Sequence, residues 1–304
     1  MTSINRRRFI ASAGLLTGAA ILGGNLPAFA GVDPKKKKMK ISGHIWSYAS
    51  KFPPDYDCTP VIEQAFSDFS YAGMDGMELM EVNLRHPDAV ANLSALAAKY
   101  KVPVTGSSYG AAFWNRDKHQ EIEDDVAAII EKLHQLKAST FGVSVGDAGR
   151  IKTETELDNQ AMLLRKLIVI CDKAGVTLNL HNHMYEVRNN LQDLKGTLSR
   201  IPGIKLGPDL NWLVRTGVDP VWFINTYGEQ MVYMHIRDQG ADGKWTESVG
   251  TGVTDFKAIA QALDKVNFKG RVAIELAFDN PPVNPLKEDW KNSLHFVKET
   301  FGWS

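Results

Sequence analysis

The sequence predicts an α/β protein, a (β/α)8 TIM barrel forming a single domain after a cleavable signal peptide. Two observations predict it. From Met39 onward a short apolar run is followed by an amphipathic stretch of about 12–18 residues, and this unit recurs eight times. No Gly-x-Gly-x-x-Gly follows the first apolar run, so the open doubly wound sheet lacks its usual support. Buried parallel strands joined by helices imply βαβ units, and eight such units close on themselves. No long Pro/Gly/Ser linker interrupts residues 39–304, which argues against a second domain.

In chain order the expected strands are Lys40–Trp46, Gly76–Met80, Val102–Gly106, Thr140–Val145, Val176–His181, Lys205–Asp209, Val232–Arg237 and Val272–Leu276. Each is short and apolar, as strands covered on both faces must be. The expected helices between them include Pro60–Tyr71, Pro87–Tyr100, Ile122–Leu136, Glu156–Lys173 and Phe256–Lys265. Gly175, just past Lys173, is a helix-stop residue.

The first thirty residues read differently. Arg6, Arg7 and Arg8 precede an uncharged apolar run from Ile10 to Phe29, and Ala28-Phe29-Ala30 is a small-x-small site. A basic start, an apolar stretch and such an end describe an export signal. The arginine run resembles the twin-arginine address, which carries folded proteins to the periplasm or beyond. The apolar stretch is diluted by Gly, Ala and Thr, which disfavours a permanent anchor. Residues 31–38, with the basic run Lys35–Lys38, read as a tether.

The whole chain has 35 basic and 35 acidic residues. Removing residues 1–30 takes away three arginines and no acid, leaving an excess of three negative charges. That composition excludes a nucleic-acid or membrane-surface binder. The two cysteines, Cys58 and Cys171, do not by themselves predict a disulfide.

The chemistry is concentrated at strand ends, where this architecture builds active sites. The fifth strand ends in His181-Asn182-His183, the sixth in Asp209, the seventh in His235-Ile236-Arg237 and the eighth in Glu275; the second ends in Glu78. Residues two apart on a strand share a face, so His181 with His183 and His235 with Arg237 point the same way. Converging ionisable groups on apolar strands are costly unless a counter-charge joins them. Carboxylates and neutral imidazoles together suit one divalent ion, Mn, Co, Zn, Mg or Fe. For a single residue the plainer role is structural: Asp209 can cap the next segment, and Arg237 can pair with Asp238. Trp46, Tyr109, Trp114 and Trp212 fall near strand ends, where aromatic faces suit a sugar.

These residues resemble the xylose isomerase-like, or sugar phosphate isomerase/epimerase, barrel superfamily. The resemblance covers about residues 39–300 and rests on Gly73–Leu79, His181–His183, Asp209–Trp212, Gly217–Pro220, His235–Asp238, Val249–Phe256 and Ile274-Glu275. It implies metal ligation by Asp209, His235 and Glu275. The superfamily's usual strand-five carboxylate is replaced here by His181, with His183 as the other possible ligand or the proton-transfer group, and Glu78 or water completing the sphere. It further implies proton abstraction next to a carbonyl through a metal-stabilised enediolate, with His183, Glu275 and Glu78 as catalytic groups. Arg237, Trp46, Trp212 and Tyr109 would then contact substrate.

Three functions follow. The first expectation is an isomerase or epimerase of a non-phosphorylated sugar or keto-polyol, since no glycine-rich phosphate cradle is present. The alternative is a lyase or hydratase acting on a 3-keto-sugar or 3-keto-glycoside, supplied by an NAD-dependent oxidoreductase. The third is a carbohydrate-binding barrel without catalysis.

Overall fold

The computed structural model describes residues 36–304. The export signal expected over residues 1–30 lies outside them. The described part of the expected tether does not run free: Lys37 forms a parallel bridge with Trp303, and its N–H donates to the Gly302 carbonyl at 3.0 Å.

Seven strands form one parallel sheet: β1 (Ile41–His44), β2 (Gly76–Met80), β3 (Val104–Gly110), β4 (Thr140–Ser144), β5 (Thr177–Leu180), β6 (Tyr233–Ile236) and β7 (Arg271–Glu275). Their spatial order is β5-β4-β3-β2-β1-β7-β6. The expected sixth strand is the correction. Residues 205–209 are not a regular strand, yet they close the barrel. Leu206 bridges Leu180 on one side and Met231 on the other, and Asp209 bridges His235. Gly207 and Pro208 explain the irregularity. Proline offers no N–H to a ladder, and a Cβ on Gly207 would lie 1.8 Å from Asn179 Oδ1. The first strand is also shorter than expected, because Trp46 opens a one-turn helix, Trp46–Ala49.

The helices cover the sheet by their apolar faces. Phe256–Lys265 falls where expected, and Glu154–Lys173 begins two residues early because Thr153 and Glu156 form a capping box. Phe69 from helix Ile62–Ala72 and Trp290 from helix Leu286–Phe301 meet edge-on at 4.7 Å over β1. Both are fully buried.

Close approach between β3 and β4 depends on Gly106, where a Cβ would stand 2.4 Å from the Thr140 carbonyl oxygen. Gly106→Ala is expected to lower unfolding free energy by about 2 kcal/mol or more. A urea midpoint equal to that of the parent would show that the strands can separate at no cost.

Cys58 and Cys171 are both free and buried. Burial pushes Cys58 up to about 11 and Cys171 up to about 12. Since the thiolate is the reactive form, neither is expected to react with iodoacetamide at pH 8 until the chain is unfolded. Alkylation of the native protein on the unfolding-independent timescale would contradict this.

Among the described residues no helix is long and apolar enough to cross a membrane.

Candidate active site and metal centre

Strand register brings the acidic groups to one level. His44 on β1 is paired with Glu78 on β2 and with Glu275 on β7, so the three Cα atoms lie in a row across adjacent strands. His235 on β6 is paired with Ala273 on β7 and bridged to Asp209. Their shared inward parity turns all five side chains toward the barrel axis.

His235 is the hub. Its Nε2 lies 2.7 Å from Glu78 Oε2 and its Nδ1 lies 2.7 Å from Glu275 Oε2. Burial alone would lower its pKa, but the two carboxylates outweigh burial and raise it to about 10. The Tyr233 hydroxyl donates to the same Glu78 oxygen at 3.0 Å. Burial works against the charge on Glu275 as well, yet Arg237, His44 and His235 hold it well below the usual carboxylate range.

Arg237 joins the remaining acids. Its Nη2 lies 2.8 Å from Asp209 Oδ2 and 2.5 Å from Glu275 Oε1. A pairing with Asp238 is not what forms. Asp238 instead accepts backbone N–H groups of Gln239, Gly250 and Gly252. Asp209 fulfils both roles weighed for it, one on each oxygen. Oδ1 accepts the Asn211 N–H at 2.9 Å and the Trp212 N–H at 3.3 Å, capping helix Leu210–Arg215. Oδ2 is fully buried and accepts no well-directed hydrogen bond.

His181, Asp209 and His235 each offer an atom, all within 4.8 Å of one another, and all three residues are buried. Burial and the neighbouring His235 and His183 lower the His181 pKa well below 6.5, so its ring is neutral with a free lone pair. Charge supports an ion here. An ion that displaced the His235 proton would meet two negative charges, those of Glu78, Asp209 and Glu275 against Arg237, in a buried space. Such charge is costly without compensation, and one divalent cation balances it. The donors present therefore fit a divalent metal. Glu275 and Glu78 stand beside this trio, each already in contact with His235.

His181, His235, Arg237 and Glu275 open onto a cleft of about 440 Å³ that also takes in His44, His183, Trp46, Tyr56, Glu81, Trp212 and Trp245. That volume suits a small organic ligand. A wider depression of about 580 Å³, lined by Ser139, Thr177 and Arg271, lies at the opposite end of the strands and holds none of the cluster.

Trp46 and Trp212 line the cleft as expected. Tyr109 borders it, but its hydroxyl is turned to Asp125 at 3.1 Å. Trp114 is not among the lining residues. Sequence reasoning missed His44, which ends β1 after Ile41-Ser42-Gly43. It also missed Trp245, whose loop carries no strand or helix signal. The Arg215 guanidinium stacks 3.4 Å above the Trp245 ring centroid and holds that ring beside Trp212. His183 lies outside the metal trio; its Nδ1 is 3.2 Å from both Ser144 Oγ and the Tyr185 hydroxyl.

Comparison with known proteins agrees with this picture. An inosose dehydratase from Clostridium beijerinckii is 24% identical, over 90% of this chain and the whole of that protein. An inosose dehydratase from Lacticaseibacillus casei is 23% identical, over 77% of this chain and 88% of its own. A D-allulose 3-epimerase from Methylomonas sp. superposes with a TM-score of 0.71 at 18% identity, over 87% of this chain and 98% of that one. A 3-keto-D-glucoside 4-epimerase from E. coli gives 0.66 at 17%, over 86% and 100%. Residues 66–300 match the xylose isomerase-like TIM barrel, and the chain belongs to that family.

Proposed function

We propose that the protein is a divalent-metal-dependent dehydratase, a carbon–oxygen lyase acting on a keto-polyol or keto-sugar. This makes the second of the expected enzyme activities the leading one. The observation that carries it is the buried trio His181, Asp209 and His235 beside a neutral histidine, in a chain matching inosose dehydratases along nearly their full length. His181, Asp209 and His235 would hold the ion, with Glu275 or Glu78 as a further ligand. Two imidazoles in the donor set favour Mn, Co, Zn or Fe over Mg. Bound there, the ion supplies a Lewis acid for a carbonyl oxygen.

The chain's own groups move the proton. Burial lowers His183 to about 4, so at neutral pH it is an uncharged acceptor lining the cleft. It takes the hydrogen from the carbon beside the carbonyl, and that bond's electron pair passes into the carbonyl. The imidazolium then returns its proton to the hydroxyl on the next carbon. The C–O bond breaks, a double bond forms and water leaves. Arg237 is placed to bind a substrate oxygen while neutralising Asp209 and Glu275. Trp46, Trp212 and Trp245 offer flat faces for C–H groups.

Isomerisation or epimerisation of a non-phosphorylated sugar is the second reading. It shares the first proton transfer, and Glu275 and His183 both line the cleft from different arcs of the barrel. An epimerisation using two groups needs the second to be an acid. Glu275 is held ionised, which favours elimination. Residues 1–30 support a periplasmic or secreted location, and an NAD-dependent oxidoreductase would form the ketone beforehand.

The test is incubation of metal-loaded protein with inososes and 3-keto-sugars in deuterated water. A product lighter by one water is the expected outcome. An isomer that has lost no water and carries carbon-bound deuterium would establish the second reading, and neither loss of water nor deuterium in any recovered sugar would end both.

A further inference from the structure

Beside the cleft lies a second depression, of about 580 Å³, that the reaction above leaves unused. It is built from helix Glu81–Arg85 directly after β2, the end of β3 and the first two turns of helix His119–Gln135. It therefore opens on the same end of the barrel as the metal centre. Tyr109 and Gly110 line both spaces. Nothing fills their junction: a Cβ on Gly110 would meet no atom within 4 Å.

A row of polar side chains runs from one space to the other. Glu81 lines the cleft, and its Oε1 is 3.9 Å from Arg85 Nη2. Arg85 in turn donates to Asp125 through Nε at 3.2 Å and Nη2 at 2.8 Å. The Tyr109 hydroxyl reaches the same carboxylate at 3.1 Å. Lys118 and Glu121 form a second pair, with Nζ 2.9 Å from Oε2.

The chemistry of this lining selects its ligand. Two cations, Arg85 and Lys118, face two carboxylates, Glu121 and Asp125, so the depression carries no net charge. A phosphate or carboxylate would gain from one sign and lose to the other. Hydroxyl groups donate and accept at once. A guanidinium has five hydrogens and an ammonium three, so Arg85 and Lys118 keep donors after meeting their partners, and both carboxylates keep lone pairs. All four side chains are partly exposed, which leaves those groups within a ligand's reach. The cleft alone has the volume of a small-ligand site. A ring held at the metal centre thus leaves the depression free for whatever that ring carries.

We propose that the depression is a second sugar subsite, and that the substrate is a keto-sugar joined to a further neutral sugar or polyol unit. The placing of the keto ring in the cleft rests on the proposed function. The second unit lies past Tyr109 and Gly110, with its hydroxyls on Arg85, Lys118, Glu121 and Asp125.

Three probes share one keto ring: methyl 3-keto-glucoside, p-nitrophenyl 3-keto-glucoside and a 3-keto-disaccharide. Stopped-flow tryptophan fluorescence of zinc-loaded protein reads their Kd ahead of turnover. The disaccharide is expected to bind at least about tenfold more tightly than the methyl glucoside. Gly110→Leu, which fills the junction, and Lys118→Ala, which removes a donor, should each shrink that ratio to below about threefold. Equal Kd for disaccharide and methyl glucoside, or no binding of the disaccharide, overturns the subsite. So does a ratio unaltered in both variants, and tighter binding of the nitrophenyl glucoside than of the disaccharide overturns its assignment to a sugar. Disaccharide preference with no product from any probe counts against the proposed reaction and leaves the subsite standing. Product from the methyl glucoside with no disaccharide preference does the reverse.

Discussion

Asp209→Ala is expected to reduce bound metal to less than about a tenth of one ion per chain and turnover by about 1000-fold or more, because it deletes a ligand outright. Its Oδ2 is the buried oxygen without a well-directed hydrogen bond, placed among His181, His235 and Arg237. Loss of the carboxylate also leaves Arg237 paired with Glu275 alone and uncaps helix Leu210–Arg215. Removing one partner of a buried ion pair costs about 3–5 kcal/mol, so the variant should melt earlier than the parent. Asp209→Asn separates the two effects. It keeps an oxygen for the Asn211 and Trp212 N–H groups while losing the charge. Elemental analysis after gel filtration is the measurement. Full occupancy in both variants would remove the metal centre from this site, and with it the mechanism.

His183→Ala is expected to do the reverse: metal content stays at the parent level while turnover falls about 100- to 10,000-fold, the range associated with one acid–base group. His183 is outside the trio, and its ring is held by Ser144 and Tyr185. Deuterium incorporation beside the carbonyl should fall in step with turnover, since the same group takes the proton in either product outcome. Added imidazole should restore part of the rate by entering the vacated space. A variant that loses its metal would instead make His183 the strand-five ligand and return His181 to a supporting role. Exchange that proceeds at the parent rate would move the proton transfer to another group in the cleft, with His44 and Glu81, which also line it, as the choices outside the proposed ligand set.

Much of this arrangement was legible in the chain alone. Parallel strands buried on both faces must be short and apolar, so an ionisable residue at the end of such a run stands out. His181, Asp209, His235, Glu275 and Glu78 were each visible for that reason, and the structure gathers them at one end of the barrel. His44 follows Ser42 and Gly43 rather than an apolar run, and a first strand read two residues too long placed it in the interior of that strand. Strand six misled for a different reason. Leu206 does pair on both sides, but Gly207 and Pro208 break the ladder that an apolar run suggests.

Side-chain partners were not legible. The sequence placed Arg237 next to Asp238, whereas the fold turns Arg237 inward to Asp209 and Glu275 and gives Asp238 to a loop of backbone amides. Glu186 sat in an ordinary helical pattern, three residues after His183, and nothing in that spacing announced that it would close a capping box around a site histidine. Trp245 is in a loop whose course depends on Arg215, thirty residues earlier in the chain.

By itself the sequence determined the barrel, the end of it that carries chemistry and the residue types that meet there, because period and strand parity are local consequences of backbone geometry. Only the tertiary structure decided which nitrogen meets which oxygen, that Asp209 divides its oxygens between a helix and a metal centre, and that His183 is held from behind. Those outcomes depend on strand register and loop packing, which bring together groups more than a hundred residues apart and compete for the same few hydrogen bonds.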